Sequence, residues 1–207
     1  MASLYDRFIL PRLLKCACST SPIMRQRGKI VPQAAGRVLE LGIGLGLNLG
    51  FYDPDKVASV TGVDPAVELR QAALAAPRDP RLAVDIQDGS AEALPFEAQS
   101  FDCVVCTFTL CSIHTPAAAL AEARRVLKPG GRLLFCEHGL APDAGVAKWQ
   151  RRIEPVWKRI AGGCHLTRPV AASIAAAGFK LQQVDSMYVP KSPKIAAWNE
   201  WGVAVPA

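Results

Sequence analysis

The sequence predicts an α/β fold: a doubly wound, mostly parallel seven-stranded sheet with an antiparallel edge strand and an N-terminal helical cap. Three observations predict it. From Gly36 onward short apolar runs alternate with helical segments, the pattern of βαβ units in a parallel sheet. The first run, Arg37 to Leu41, passes at once into Gly42, Gly44 and Gly46, which let the backbone turn tightly. The last two runs are joined by too short a segment for a crossover, which makes them an antiparallel pair at one edge.

The elements follow in order. Residues 1–35 read as the helical cap: Leu4, Phe8, Ile9, Leu13 and Leu14 share one face, Pro11 bends it, and a second, basic helix runs from about Met24 to Val31, ending at Pro32. Residues 36–207 form the main domain. Its strands are expected at Arg37 to Leu41, Val57 to Val63, Arg81 to Ile86, Phe101 to Cys106, Arg132 to Glu137, Phe179 to Val189 and Trp201 to Val205. A helix is expected directly after the glycine turn, another from Pro65 to Ala76, and an Ala-rich one from Pro116 to Leu127, stopped by Lys128-Pro-Gly-Gly. A helical insert lies near residues 143–162 and a short helix near Pro169 to Ala177.

Composition bounds the function. A chain of 207 residues is long enough for one α/β domain around a single core. Half of it is apolar and 20% is charged, which excludes a largely disordered chain. Its +6 charge comes without dense basic runs, so nucleic acid is not an expected partner. The longest nearly uncharged stretch, Cys103 to Ile113, is too short to cross a bilayer, and no integral membrane segment is expected. The first ten residues interleave charges with apolar side chains, unlike a secretory signal. Seven Cys, an odd count with several inside apolar runs, suit reduced thiols and a cytoplasmic protein.

The most informative segment is Glu40-Leu-Gly42-Ile-Gly44-Leu-Gly46-Leu-Asn48. Glycines after a strand let a ligand approach where a Cβ would collide, and a following helix would aim its N–H groups at an anionic end. Asp64, 22 residues after Gly42, closes the second strand where an acid accepts bonds from ribose hydroxyls. The spacing is not G-x-G-x-x-G, which disfavours a dinucleotide, and no Gly-Lys-Ser/Thr follows, which excludes a phosphate loop.

Further segments arrive in order: Gly89-Ser-Ala-Glu-Ala-Leu-Pro-Phe96, then Val126-Leu-Lys-Pro-Gly-Gly-Arg-Leu-Leu-Phe135. Across roughly residues 36 to 138 this set resembles the class I S-adenosylmethionine-dependent methyltransferases, which have a Rossmann-like sheet. The resemblance implies S-adenosyl-L-methionine as cofactor. It implies Glu40 near the amino end, Gly42, Gly44, Gly46 and Asn48 around the methionine part, Asp64 on the ribose and Pro65 beside the adenine edge. Ser90, Ala91 and Glu92 would meet the adenine, with Asp88 as the alternative to Ser90. Cys106 and Thr107 would approach the sulfonium and its methyl.

The later stretches Cys103-Val-Val-Cys-Thr-Phe-Thr-Leu-Cys-Ser112, Leu134-Phe-Cys-Glu-His138, Trp149-Gln150, Pro155-Val-Trp157 and Gly163-Cys-His-Leu-Thr-Arg168 are more particular. They resemble the alkyl thiol methyltransferases and their bacterial homologues, over about residues 36 to 189, and imply transfer of a methyl group to a small-molecule acceptor, a thiol favoured. A free thiol needs only a modest pKa shift to become a thiolate at neutral pH. His138, just past the fifth strand, is the expected catalytic residue, ahead of His165 and His114. Trp149, Val156, Trp157 and Ile160 are expected to line an apolar acceptor pocket. No metal is expected. Cys103 and Cys106 point to opposite faces of a strand, the seven thiols look scattered, and buried Cys serve as small apolar residues. Cys111 and Cys164 are the two placed to face the acceptor.

Three alternatives stay open: methylation of a phospholipid-headgroup amine or a quinone-type ring, a non-catalytic S-adenosylmethionine sensor and, more distantly, a dinucleotide oxidoreductase. The basic preface reads as a lid over the cofactor, or else as a weak peripheral contact with anionic lipid.

Overall fold

The computed structural model describes residue 13 and residues 16–207. The first half of the expected cap, with Leu4, Phe8, Ile9 and Leu14, lies outside the described residues. The described chain builds one seven-stranded sheet of order β3-β2-β1-β4-β5-β7-β6. The strands are β1 (Gly36–Leu41), β2 (Val57–Asp64), β3 (Val84–Asp88), β4 (Phe101–Thr107), β5 (Leu127–His138), β6 (Phe179–Tyr188) and β7 (Trp198–Pro206). The helices are α1 (Ser21–Ile30), α2 (Val67–Leu74), α3 (Pro116–Val126), α4 (Ala144–Ile160) and α5 (Val170–Ala176).

Neighbouring pairs from β3 through β5 are parallel, and β7 runs antiparallel to both β5 and β6. The reversed strand is therefore β7, one in from the edge, and the edge strand β6 keeps the common direction.

The two-residue period of a strand sorts its side chains between two cores. On one face Leu39, Val104, Cys106, Leu133 and Phe135 pack with Leu120 and Val126 of α3 and Ile174 of α5. On the other, Val38, Val60, Cys103, Val105, Leu134 and Cys136 pack with Ile30 of α1, Ala73 of α2 and Leu49. Cys103 and Cys106 thus fall on opposite faces, as their spacing requires.

Several boundaries move for local reasons. The helix α1 starts at Ser21 because Pro22 suits a first helical turn, and it continues as a 3₁₀ turn over Val31–Gln33 that takes in Pro32. β3 begins at Val84, because Asp79 Oδ1 accepts the Arg81 N–H at 2.9 Å and holds Arg81 in a turn. β5 pairs from Leu127, with Gly130 at φ +78° absorbing an irregularity that the Lys128-Pro-Gly-Gly segment introduces. The α-helix expected after the glycine turn is only a 3₁₀ turn over Leu49–Phe51. Gly46, Gly50 and Pro54 leave too short a run of helix formers there. A helix-dipole contribution at that turn falls away with it.

Phe135 is fully buried at the centre of the sheet. Phe135→Ala is expected to lower stability by about 3–5 kcal/mol in urea denaturation, from lost burial plus the cavity left behind.

Candidate active site

The carboxyl ends of β1, β2, β4 and β5 bring together two groups of polar side chains, where open α/β sheets bind ligands. The first group centres on Glu40, buried at the end of β1. Its Oε1 accepts from Asn48 Nδ2 at 2.9 Å and its Oε2 from the Tyr52 hydroxyl at 2.7 Å. Burial pushes this carboxyl up to about 7, against the pull of those two donors and of Arg27.

Asn48 Nδ2 also donates to Thr107 Oγ1 at 2.9 Å, and Arg27 Nη1 donates to Asn48 Oδ1 at 2.9 Å and Thr107 Oγ1 at 2.5 Å. The guanidinium lies 4.9 Å from the centroid of the Phe108 ring, and its buried Nε has no partner. Sequence reasoning missed Arg27. Its signal was there: Arg27, Ile30 and Val31 share the i, i+3, i+4 face that α1 turns to the core.

The three glycines have different reasons. At Gly42 (φ +63°) a Cβ would stand 2.4 Å from Thr109 Cγ2, and at Gly46 (φ +71°) 2.8 Å from Ala76 Cβ. Those two are glycines for packing. At Gly44 (φ +54°) the nearest atom is the Gly42 carbonyl at 3.7 Å, so this Cα faces open space. Beside it, Asp64 accepts the Gly44 N–H at 3.0 Å and the Ala66 N–H at 2.9 Å, and burial raises its pKa.

The remaining expected cofactor residues are more loosely grouped. Pro65 is exposed. Ser90 Oγ accepts the Glu92 N–H at 3.2 Å, and the Glu92 carboxylate accepts the Thr115 N–H. Ala91 is buried in the core. Asp88 is committed to Arg70 Nη1 at 2.7 Å, and the same Nη1 donates to the Asp64 carbonyl. Thr107 belongs to the Arg27 network, but the Cys106 side chain turns into the core with its Sγ 3.6 Å from Glu137 Oε1.

The second group is organised by Glu137, fully buried near the end of β5. Its Oε1 accepts the N–H groups of Thr109 at 2.7 Å and Leu110 at 2.9 Å, and Oε2 that of Cys111 at 3.4 Å. Burial raises its pKa against these donors. The loop they fold carries Cys111 toward His138 and Cys164. His138 Nε2 lies 2.8 Å from Cys164 Sγ, and Trp157 Nε1 donates to that sulfur at 3.5 Å.

A hydrogen bond from Cys111, joined by His138 and Trp157, brings the Cys164 thiol down to about 4. The same bond, with burial, pushes Cys111 up. Burial opposes a charge on His138, but Cys164 outweighs it and the imidazole pKa rises. The ligand atoms of Cys111, His138 and Cys164 all lie within 4.8 Å of one another. The thiols are therefore not all scattered: these two converge across 53 residues of sequence.

The motif residues around this group are largely clamps. Gln150 accepts the Ala141 N–H and donates to the carbonyls of Gly139 and Ile195. Arg168 donates to the carbonyls of Leu110 and Ile113, and the His165 N–H donates to the Cys111 carbonyl at 2.8 Å. His165 itself pairs with Glu154 at 3.0 Å, and His114 is exposed. The expected apolar pocket on α4 is not formed. Trp149, Val156 and Ile160 are 59%, 61% and 51% exposed, and of the four only Trp157 reaches the thiols. A cavity of about 570 Å³ on the flank of α4, lined by Ala147, Arg151 and Glu200 among others, shares no residue with either group.

A family profile described as a methyltransferase domain matches residues 39–135. Thiol S-methyltransferase TMT1B of Rattus norvegicus is 40% identical over 152 residues, covering 72% of this chain and 62% of that protein. Thiol S-methyltransferase TMT1A of Homo sapiens is 30% identical over 179 residues, covering 84% and 72%. The chain belongs to the class I S-adenosylmethionine-dependent methyltransferases. It spans just under two thirds of the TMT1B length. In fold, this methyltransferase is similar to the one solved in complex with the Haloferax volcanii Trm112 methyltransferase activator, with a TM-score of 0.73 at 17% identity, covering 98% of this chain and 96% of that one. Its cofactor is S-adenosylmethionine. Among the described residues no helix is long and apolar enough to cross a membrane.

Two glycine variants separate packing from ligand access. Gly42→Ala is expected to destabilise the fold strongly, since its new Cβ meets Thr109 and its φ is positive. Gly44→Ala, with open space around it, should cost only about 1–2 kcal/mol in thermal denaturation yet weaken cofactor binding at least about tenfold in calorimetry.

Proposed function

We propose that this methyltransferase transfers the methyl group of S-adenosylmethionine to a small thiol. The observation that carries the reading is the 40% identity, over 72% of the chain, to a thiol S-methyltransferase. The cluster of Cys111, His138 and Cys164 beside the cofactor residues supports it, because such groups suit a polarisable sulfur acceptor.

The residues of the first group fit the cofactor. Arg27 keeps a buried N–H without a partner, which suits the carboxylate of an amino acid, and Gly44 leaves room for close approach. Glu40 would hold the amino end, and Gly42, Gly46 and Asn48 would shape the turn around it. Asp64 would accept from the ribose, with Pro65, Ser90, Ala91 and Glu92 along the adenine. Thr107 stands on the methyl side, and Cys106 would contribute only its backbone. Bound there, S-adenosylmethionine supplies a methyl carbon already activated by the sulfonium charge. What the chain adds is alignment of the acceptor and exclusion of water. His138 is the acceptor-side residue.

The direct test is product formation with alkyl thiols, against a headgroup amine and a quinol as alternatives. Turnover on thiols is expected. His138→Ala should lower kcat about 10²-fold or more while leaving cofactor affinity within a few-fold. Turnover on the amine or quinol alone would overturn the thiol reading, and an equal loss of kcat and affinity would make His138 structural.

Glu40 sets a pH dependence. Its carboxyl sits at about 7 in the fold, above its ordinary 4.5, so the neutral acid is favoured there. An ammonium group beside it favours the carboxylate. Cofactor affinity should therefore rise between pH 5 and 7, approaching tenfold per unit at the acidic end, with proton release visible in calorimetry across buffers. The free protein should lose stability over the range from about 4.5 to about 7, because the unfolded chain gives up this proton more readily. Flat profiles would remove Glu40 from the amino end.

A further inference from the structure

We propose that Cys111, His138 and Cys164 bind a soft divalent cation, Zn²⁺ by their chemistry, and that the fourth coordination place takes the acceptor thiolate. The second half rests on the thiol reading above; the first does not.

Three separate elements deliver the donors. Cys111 lies on the loop after β4, His138 ends β5, and Cys164 lies on the loop after α4. Each is held before any ligand arrives. Glu137 accepts the Cys111 N–H, and the Cys111 carbonyl accepts the His165 N–H at 2.8 Å, which ties the Cys164 loop to it. His138 is in register with Asn199 of β7, whose Nδ2 donates to the Glu137 carbonyl at 2.6 Å. A site assembled on strand ends and clamped loops loses little entropy when it takes a ligand.

The distances suit a tetrahedral ion. Zinc–sulfur bonds of about 2.3 Å and zinc–nitrogen bonds of about 2.0–2.1 Å set donors roughly 3.5–3.8 Å apart. The three ligand atoms here lie within 4.8 Å, with His138 Nε2 and Cys164 Sγ at 2.8 Å. Shifts of about an ångström bring them onto one ion. A dication bound among these atoms would displace the protons they carry, releasing them to solvent.

The surroundings suit a metal ligand set. Trp157 Nε1 donates to Cys164 Sγ, the kind of outer contact that orients a thiolate ligand. Two sulfurs and an imidazole select zinc over calcium or magnesium, which take oxygen.

Three protein ligands leave a fourth position, the arrangement of catalytic rather than structural zinc. An acceptor thiol entering it would lose its S–H proton to solvent as the sulfur–metal bond forms. The sulfur lone pair then forms the new bond to the methyl carbon. The carbon–sulfonium bond breaks with its electron pair leaving on the cofactor sulfur. The product is a neutral thioether, a weaker ligand, and departs.

The test uses the full chain, reduced and freed of metal with a chelator, titrated anaerobically with Co²⁺ as the spectroscopic probe. One equivalent is expected to produce a thiolate-to-cobalt charge-transfer band, abolished by Zn²⁺, by Cys111→Ser and by Cys164→Ser, and retained by Cys16→Ser. Circular dichroism and cofactor binding confirm that each variant folds. An alkyl thiol added to the Co²⁺ protein should shift the ligand-field bands. A folded, reduced wild type without a stoichiometric band overturns the metal site, as does an air-formed Cys111–Cys164 disulfide in a protein that takes no Co²⁺.

Loss of the band in Cys18→Ser would assign the fourth place to Cys18, which lies close enough to feel Cys164, and overturns the acceptor half. The two readings fail separately. Thiol turnover that survives chelation, in a protein without the band, sinks the metal and keeps the thiol. A band that shifts with thiols none of which is methylated sustains the metal and sinks the thiol as substrate.

Discussion

The buried carboxylate of Glu137 is the constraint on which the rest depends. Taking a carboxylate fully out of water is costly unless its oxygens are matched by donors. Here the matching donors are consecutive backbone N–H groups of Thr109, Leu110 and Cys111. The chain after β4 must therefore wrap around the end of β5. That wrap sets Thr109 against Gly42, with Thr109 Oγ1 also bonded to the Thr107 carbonyl at 3.1 Å. It also sets Cys111 against Cys164. One acid thereby holds both the wall of the glycine turn and one arm of the thiol cluster.

A second buried network joins the preface to the sheet. Arg27 reaches from α1 to Asn48 and Thr107, so the helix docks by a charge as well as by Ile30 and Val31. Nearby, Lys29 Nζ sits 3.7 Å from the centroid of the Trp201 ring on β7. Two cations on one helix thus reach either side of β5, the turn after β1 and the end of β4 on one side and β7 on the other. The helix α1 is thereby tied into the Glu40 group, which distinguishes it from a freely solvated basic helix.

The sheet was legible because alternation and turn residues are local signals, and each strand carries its own. The glycine turn was legible because glycine spacing is local too. What sequence supplied only in part was convergence: it turned Cys111, His138 and Cys164 toward one acceptor without bringing their donor atoms within reach of each other. Cys111, His138 and Cys164 belong to three segments, and only the fold of the Glu137 loop brings them together. Arg27 was hidden among the other cations of its helix until its face was known. The reverse error occurred on α4. A stripe of Trp149, Val156 and Ile160 has the periodicity of a buried face, yet the helix seats itself through Ala147 and Gln150 and leaves that stripe outward. Periodicity identifies a face without saying which side the rest of the chain will cover.

The place of β7 has a temporal consequence. It is the last strand in chain order, yet it lies between β5 and β6, bonded along both sides. On a ribosome, which releases the chain from its N-terminal side, β5 and β6 emerge first and have no partner in each other. The flank that carries His138 can close only once β7 has left the exit tunnel. Nascent chains halted before that point would hold the glycine turn and the five strands from β3 to β5 in sheet order, with the far side of β5 still unpaired.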